Sequence, residues 1–202
     1  MLKELLTVLA FDPQTHAFGP LQVVVAGTPS EFHFYPSWSP DGRYIAFVSA
    51  PTGPGQSSYD QQHSRLRLVR LSDLSVVDLT RATQSEDSWS TLPKFAPFDA
   101  AQYDGLFFLT FNSKVDYGLL LQNSRIDPAY KIPQLWLSAI DPTKLPADPS
   151  SAPIWLPFQD FSQRSHLGFW TEHIACRQDV LEEARCGPAE RCRGDFCVPV
   201  IR

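Results

Sequence analysis

The chain has 202 residues, of which 43% are hydrophobic and 19% charged, and its formal net charge is −5. This composition predicts a globular protein with one ordinary domain and room for a small second module. The acidic balance and the lack of a basic stripe argue against nucleic-acid binding. The sequence has no run of eighteen apolar residues, so it predicts no membrane-spanning helix.

The amino-acid usage favours short strands over helices. Eighteen prolines occur with fourteen Phe, six Tyr and five Trp. Proline interrupts helix interiors and punctuates strands, and aromatic side chains suit a pleated, half-buried surface. We therefore expect many short strands with tight connections.

The first predicted element is a strand over residues 6–11 whose pattern returns twice. Residues 6–13, 66–73 and 135–142 all alternate apolar with smaller or polar side chains and run into a turn signal. The N-terminus also has features of a weak signal peptide. Glu4, a short apolar stretch and the lack of a cleavage site favour the strand.

A hairpin precedes two of these alternating strands. Residues 36–42, Pro-Ser-Trp-Ser-Pro-Asp-Gly, lead into an apolar strand over 43–49. Residues 93–97, followed by Asp104-Gly105, lead into a similar strand over 106–111. Asp-Gly between such strands is a hairpin signal because glycine tolerates a positive φ. Short apolar segments at 21–26, 76–80 and 154–157 close the units.

These elements define a tandem unit of four strands. Tandem four-stranded units are typical of β-propellers. We predict an all-β fold: a partial β-propeller of about two and a half four-stranded antiparallel blades over residues 1–172, beginning in the third strand of a blade. Because propellers usually need about four to eight blades to close, we expect the chain to be a C-terminal fragment of a longer protein. The alternatives are a small open stack and a ring of several chains.

Residues 36–49 resemble the TolB-like, WD40-like (PD40) β-propeller repeat of secreted bacterial proteins. The second unit departs from it at Phe95 and Ala96 and carries six extra residues before Asp104. The resemblance implies a structural role for the repeat residues, with Trp38 and its counterpart Phe95 packed between neighbouring blades. It also implies an extracytoplasmic location. The repeat-motif positions are Pro36, Trp38, Pro40, Asp41, Gly42, Phe95 and Pro97.

Two long polar loops carry the candidate partner-binding residues. They span about 51–64 and 112–133, between the second and third strands of each complete unit. Loops of this length in compact folds are often functional, although they are also tolerated as insertions that contact nothing. The candidates are Tyr59, Lys114, Asp116, Tyr117, Arg125 and Tyr130.

The sequence contains no recognisable catalytic or metal motif. Its five histidines never show a His-x-x-x-His spacing, and no Gly-x-Ser-x-Gly elbow or phosphate-binding glycine loop occurs. Residues 159–166 include an Asp, a Ser and a His, but a triad depends on geometry and not on proximity in sequence. We therefore predict no catalytic residue, no cofactor and no metal.

A cysteine-rich tail is predicted over residues 173–202. Cys176, Cys186, Cys192 and Cys197 lie in a short, charged segment, which predicts two disulfides with three pairings open. A zinc site is the alternative, although no Cys-x-x-Cys knuckle is present. Disulfides indicate an oxidising compartment: the periplasm, the outer membrane or the medium.

The leading functional hypothesis is a non-catalytic extracytoplasmic binding or scaffold protein. Its rim loops would engage a protein or cell-envelope partner, as the resemblance implies. One alternative is a propeller module associated with a peptidase or another hydrolase. The other is a glycan-binding module that stacks sugars on Tyr59, Tyr103, Tyr117 and Tyr130.

Overall fold

The computed structural model describes residues 5–52, 59, 61–85, 87, 89–125, 127, 130–170, 190–193 and 196–199. The chain divides into two compact units, Met1–Trp170 and Thr171–Arg202. The first unit contains three antiparallel sheets, and the second contains a short hairpin.

The predicted all-β class is confirmed. Sheet 1 pairs two strands, whereas sheets 2 and 3 are four-stranded meanders with the strand order that the repeat predicts. No helix within the described residues is long and apolar enough to cross a membrane. The elements are β1 (Leu6–Asp12) and β2 (Ala17–Val25) in sheet 1, β3 (Glu31–Trp38), β4 (Tyr44–Pro51), β5 (Arg65–Arg70) and β6 (Ser75–Asp78) in sheet 2, helix α1 (Thr80–Thr83), and β7 (Thr91–Phe95), β8 (Phe107–Ser113), β9 (Gln134–Ile140) and β10 (Ile154–Trp155) in sheet 3.

The Asp-Gly pairs make the turns that the sequence predicts. Gly42 has φ +69° between β3 and β4, and Gly105 has φ +82° before β8. Asp41 stabilises its turn through one carboxylate oxygen, which accepts hydrogen bonds from the Ser39 hydroxyl at 2.6 Å and the Arg43 N–H at 3.0 Å. The Asp41 carboxylate is thus engaged in hydrogen bonds within its own turn.

Strand β4 is buried on both faces, because sheet 2 lies between the other two sheets. Ile45 and Phe47 pack with residues of sheet 1. Ala46 and Val48 alternate with them and pack with residues of sheet 3. Successive side chains of a strand point to opposite faces of the sheet. Because both faces of sheet 2 are covered, β4 needs apolar side chains at consecutive positions and not only at alternate ones.

The larger core lies between sheets 2 and 3. Each fully buried Leu or Phe side chain there contributes about 1.5–3 kcal/mol relative to exposure. Sheet 2 contributes Leu66 and Leu68 from β5, and sheet 3 contributes Phe95, Phe107, Leu109, Phe111 and Trp136.

The expected burial of Trp38 is wrong, although Phe95 is buried as expected. Trp38 is 50% exposed and Phe95 only 7%. The two residues occupy matching positions, since Trp38 lies opposite Ile45 and Phe95 opposite Leu109. Strands β3 and β4 contact β7 and cover Phe95. Among the described residues, sheet 1 has only two strands, so nothing equivalent covers Trp38.

The outer face of sheet 3 is covered by the extended segment 156–170. The indole N–H of Trp170 donates to the Thr110 hydroxyl at 3.1 Å. The Ser165 N–H donates to the Pro133 carbonyl at 3.0 Å. The outer face of sheet 3 is therefore covered by this segment of the chain.

The second unit contains the hairpin of β11 (Glu190–Arg193) and β12 (Phe196–Pro199), whose register places Cys192 opposite Cys197. Cys176 and Cys186 lie outside the described residues, as do the side chains of Cys192 and Cys197. The predicted disulfides, and the zinc alternative, stay predictions.

Candidate functional site

Three connections of the first unit meet in one surface, which we call the rim. They are the β4–β5 loop, the connection from α1 to β7, and the β8–β9 loop. The backbone N–H of Trp89 donates to the backbone carbonyl of Gln62 at 3.3 Å. The side-chain amide of Gln62 donates to the Asp87 carboxylate at 3.1 Å. Lys114 contacts Trp89 from the third connection. The two long loops predicted as binding elements are thus joined through the α1–β7 connection.

Trp89 is the centre of the rim. The Lys114 ammonium lies 3.9 Å from the Trp89 ring centroid, and the Lys131 ammonium lies 5.9 Å from it. All three side chains are buried, and a desolvated ammonium over an indole face is stabilised by about 2 kcal/mol. The buried Nε1–H of Trp89 has no hydrogen-bond acceptor in the part of the chain that the structure describes. Trp89 therefore fixes both ends of the β8–β9 loop.

Two neighbouring cavities open along the rim and share Gln84 and Ser85. The first has a volume of 440 Å³ and includes His63, Arg65 and Asp78 in its lining. The second has a volume of 390 Å³, and its charged lining residues are Asp87, Lys114, Asp116 and Lys131. Two carboxylates balance two ammonium groups in the second cavity. This balance suits the mixed donors and acceptors of a polypeptide better than a polyanion.

The tip of the β8–β9 loop presents two leucines to solvent. Leu119 is 88% and Leu120 65% exposed. They occupy a tight turn that Tyr117 and Leu121 close by exchanging backbone hydrogen bonds of 2.8 and 3.2 Å. Gly118 has φ +53° in this turn, a conformation that costs glycine little.

Stacked aromatic rings hold the base of this tip. The Tyr117 ring stacks on Trp155 with the centroids 4.6 Å apart, and Trp155 stacks on Phe161 at 5.1 Å. Asn123 fixes the return of the loop, because its amide donates to the Ile132 carbonyl at 2.8 Å and accepts from the Ile132 N–H at 2.9 Å. The turn that contains the exposed leucines is thus held by contacts at the base of the loop.

The predicted candidate residues separate into two groups. Lys114 and Asp116 line the same cavity, and Arg125 and Tyr130 are exposed on the β8–β9 loop. Tyr117 instead packs within the aromatic stack.

Tyr59 also contacts another residue of the protein, since its hydroxyl hydrogen-bonds to Nδ1 of His166 and lies 3.0 Å from Nε2 of the same ring.

The four tyrosines of the glycan hypothesis do not form one platform. Tyr103 lies in the β7–β8 connection, at the other end of β8 from the loop that carries Tyr117 and Tyr130. Its ring packs edge-on against Phe108, with centroids 5.3 Å apart.

Sequence reasoning missed Trp89, Lys131, Leu119 and Leu120. The available signal for the leucines was Gly118 followed by two apolar residues inside an otherwise polar loop. Trp89 and Lys131 are far apart in the sequence, and sheet 3 brings them together, since Trp89 lies just before β7 and Lys131 just before β9.

The Asp, Ser and His of residues 159–166 do not converge. Asp160 accepts hydrogen bonds from the N–H and hydroxyl of Ser162 at 2.8 and 2.7 Å, whereas His166 contacts Tyr59. The hydrogen bonds of Ser162 hold the pKa of the Asp160 carboxyl below its ordinary value. No group of three or more His, Cys, Asp or Glu side chains suited to a metal ion occurs within the described residues.

The chain matches no protein-family model and no curated protein.

Proposed function

We propose that the chain is a non-catalytic binding or scaffold protein of an extracytoplasmic compartment. It engages a protein or cell-envelope partner through the rim, with Leu119 and Leu120 as anchors. The resemblance of residues 36–49 to the TolB-like propeller repeat supports this proposal, because proteins with that repeat present rim loops to partners.

The observation that carries the proposal is the contrast between the tip and the base of the β8–β9 loop. Its two leucines are exposed, whereas Tyr117, Trp155 and Asn123 hold the loop in place. Because the backbone of this loop is already held in place, binding would cost little backbone conformational entropy, and such preorganisation favours affinity. The charge-balanced cavity beside the loop supplies polar contacts around them.

Site-specific photocrosslinking tests the proposed surface. A photoreactive amino acid at position 119 should crosslink the full chain to a component of the cell envelope. The matched control position is Leu74, which is 38% exposed in the β5–β6 turn, at the other end of β5 from the β4–β5 loop. The crosslink at 119 should disappear in competition with unlabelled wild-type protein but persist with a Leu119→Ser, Leu120→Ser competitor. Equal crosslinking from both positions would overturn the proposal.

The compartment is tested separately, through the cysteines. If the protein resides in an oxidising compartment, all four thiols of the purified chain should resist alkylation until a reductant is added. Free alkylation without reductant would exclude that location, and protection that is lost to a chelator would indicate zinc.

A further inference from the structure

The charged side chains of the first rim cavity have partners within the protein. The Arg65 guanidinium forms an ion pair with Glu31 and lies 3.5 Å from the Asp78 carboxylate. Nδ1 of His63 lies 3.1 Å from the carboxylate of Asp87, which lines the second cavity. A charged ligand in the first cavity would have to compete with these contacts.

Lys131 is the exception among the charged residues of the two cavities. Its side chain lines the second cavity and is only 9% exposed. Across the part of the chain that the structure describes, its ammonium has neither a hydrogen-bond acceptor nor a counter-charge within ion-pair distance. The centroid of the Trp89 ring, 5.9 Å away, is at the outer limit of a cation–π contact. Because a buried ammonium without hydrogen-bond partners is costly, Lys131 favours a ligand that accepts hydrogen bonds.

The second cavity suits a single carboxylate better than a multiply charged anion. Its volume of 390 Å³ is large enough for a carboxylate and the side chain that carries it. The ammonium groups of Lys114 and Lys131 attract one negative charge, whereas the carboxylates of Asp87 and Asp116 in the same lining repel each further one. A phosphate group would therefore be disfavoured relative to a carboxylate.

The β8–β9 loop connects this cavity to the exposed leucines. Lys114 follows the last residue of β8, and Lys131 lies three residues before the first residue of β9, so both ends of the loop line the cavity. Leu119 and Leu120 occupy the tip of the same loop. A polypeptide bound along the loop can thus contact the leucines and place a carboxylate in the cavity.

We propose that the second rim cavity binds a carboxylate of the partner polypeptide, which accepts charge-assisted hydrogen bonds from the Lys131 ammonium. This inference rests on the proposed function and specifies its partner: a polypeptide segment that combines a carboxylate with apolar side chains, the latter for Leu119 and Leu120.

An NMR titration of the full chain tests the site without the partner. The protein is isotope-labelled at the lysine Cε, and the signal that is missing in Lys131→Met is assigned to Lys131. The first probe is the α-amide of N-acetyl-aspartic acid, and N-acetyl-asparagine amide is its neutral counterpart. N-acetyl-alanine presents a C-terminal carboxylate instead, so the tighter of the two acidic probes identifies the source of the carboxylate.

We expect at least one acidic probe to shift the Lys131 signal saturably, at a concentration at least tenfold below that needed for Lys144. Lys144 is the matched control, because its side chain is 49% exposed and its ammonium lies 3.3 Å from Asp141. The proposal is wrong if neither acidic probe gives a saturable shift or if the asparagine probe shifts Lys131 equally. Tighter binding of inorganic phosphate at equal ionic strength would also overturn it, because the cavity would then hold an adventitious ion only.

Competition in the crosslinking experiment at position 119 connects the cavity to the partner. The Lys131→Met competitor should be needed at a concentration at least tenfold higher than the wild-type competitor, whereas Lys144→Met should compete like the wild type. Slow hydrogen exchange of the Ile132 amide, which donates to Asn123 at 2.9 Å, verifies that the loop is retained in Lys131→Met. If this variant loses the loop, the titration of the wild-type protein decides alone.

The two proposals fail in different ways. Loss of a specific crosslink at position 119 in the wild-type protein contradicts the proposed function, whereas the titration still decides whether the cavity binds a carboxylate. A specific crosslink for which Lys131→Met, with its loop retained, competes as well as the wild type contradicts only the role of the cavity.

Discussion

The backbone N–H of Phe95 donates a hydrogen bond to the Ser37 hydroxyl across 3.0 Å. Ser37 belongs to β3 and Phe95 to β7, so this bond links the first strands of two neighbouring sheets. It is a direct polar contact beside the apolar core that the two sheets share.

Replacing Ser37 by alanine should destabilise the protein by about 1–3 kcal/mol, because the buried Phe95 N–H would lose its acceptor. Urea unfolding of the variant measures the change in the free energy of unfolding. Ser72→Ala, in the exposed β5–β6 turn, is the matched control and should change it by less than about 0.5 kcal/mol. Equal effects of the two substitutions would show that the inter-sheet bond contributes nothing.

Alanine substitutions at the two matching repeat positions should have unequal effects. Phe95→Ala removes a buried ring and should cost about 3–5 kcal/mol. Trp38→Ala should cost about half as much, since half of the Trp38 surface already lies in water. Chemical denaturation of both variants makes the comparison. A loss at Trp38 as large as that at Phe95 would mean that Trp38 is buried in solution.

The strand pattern of the fold was predictable because it depends on local signals. Alternation over residues 6–11 and the Asp41-Gly42 turn are legible in the sequence. The exposure of Trp38 was not predictable from local signals, because it depends on which strands are present in sheet 1, which faces Trp38.

The rim was predictable only as a pair of long loops. The individual roles depended on contacts distant in sequence, such as Lys131 with Trp89. Tyr117 had the composition of a binding residue, but stacking on Trp155 gives it a structural role.

Asp148 should make stability depend on pH in the acidic range. Its carboxylate accepts hydrogen bonds from the Thr80 hydroxyl at 2.6 Å and the Arg81 N–H at 2.8 Å, and so links α1 to sheet 3. Partial burial raises the pKa of Asp148, but hydrogen bonds, including those from Ser150 and Thr80, outweigh it and hold the pKa below the ordinary value of 3.8. The unfolded chain therefore binds a proton first as the pH falls.

This contribution is complete above the ordinary carboxyl pKa and is lost as the pH falls through the lower pKa of the folded state. The free energy of unfolding should thus decrease less between pH 6 and pH 2 in Asp148→Asn than in the wild type. Asp104→Asn is a suitable control, because asparagine tolerates the φ of +55° at that turn position. Parallel pH profiles of wild type and Asp148→Asn would contradict the prediction.

His33 should give a second dependence on pH, nearer neutrality and of the same sign. Its ring is buried in β3, with Nδ1 3.0 Å from the Ser49 hydroxyl and Nε2 3.4 Å from the Ala26 carbonyl. Burial lowers the pKa of His33 below its ordinary value of 6.5; the Ala26 carbonyl and Glu31 oppose the shift, whereas the positive charge of Arg67 adds to it.

As the pH falls through 6.5, the histidine of the unfolded chain takes up a proton before His33 of the folded protein does. Stability is therefore complete above this value and declines until the pH reaches the lower pKa of the folded state. We expect a smaller decrease in the free energy of unfolding between pH 7 and pH 5 in His33→Asn than in the wild type. His16→Asn should keep the wild-type slope, because His16 is exposed in the β1–β2 turn and its φ of +53° suits asparagine. If His16→Asn, and not His33→Asn, flattens the profile, the buried histidine does not cause the pH dependence.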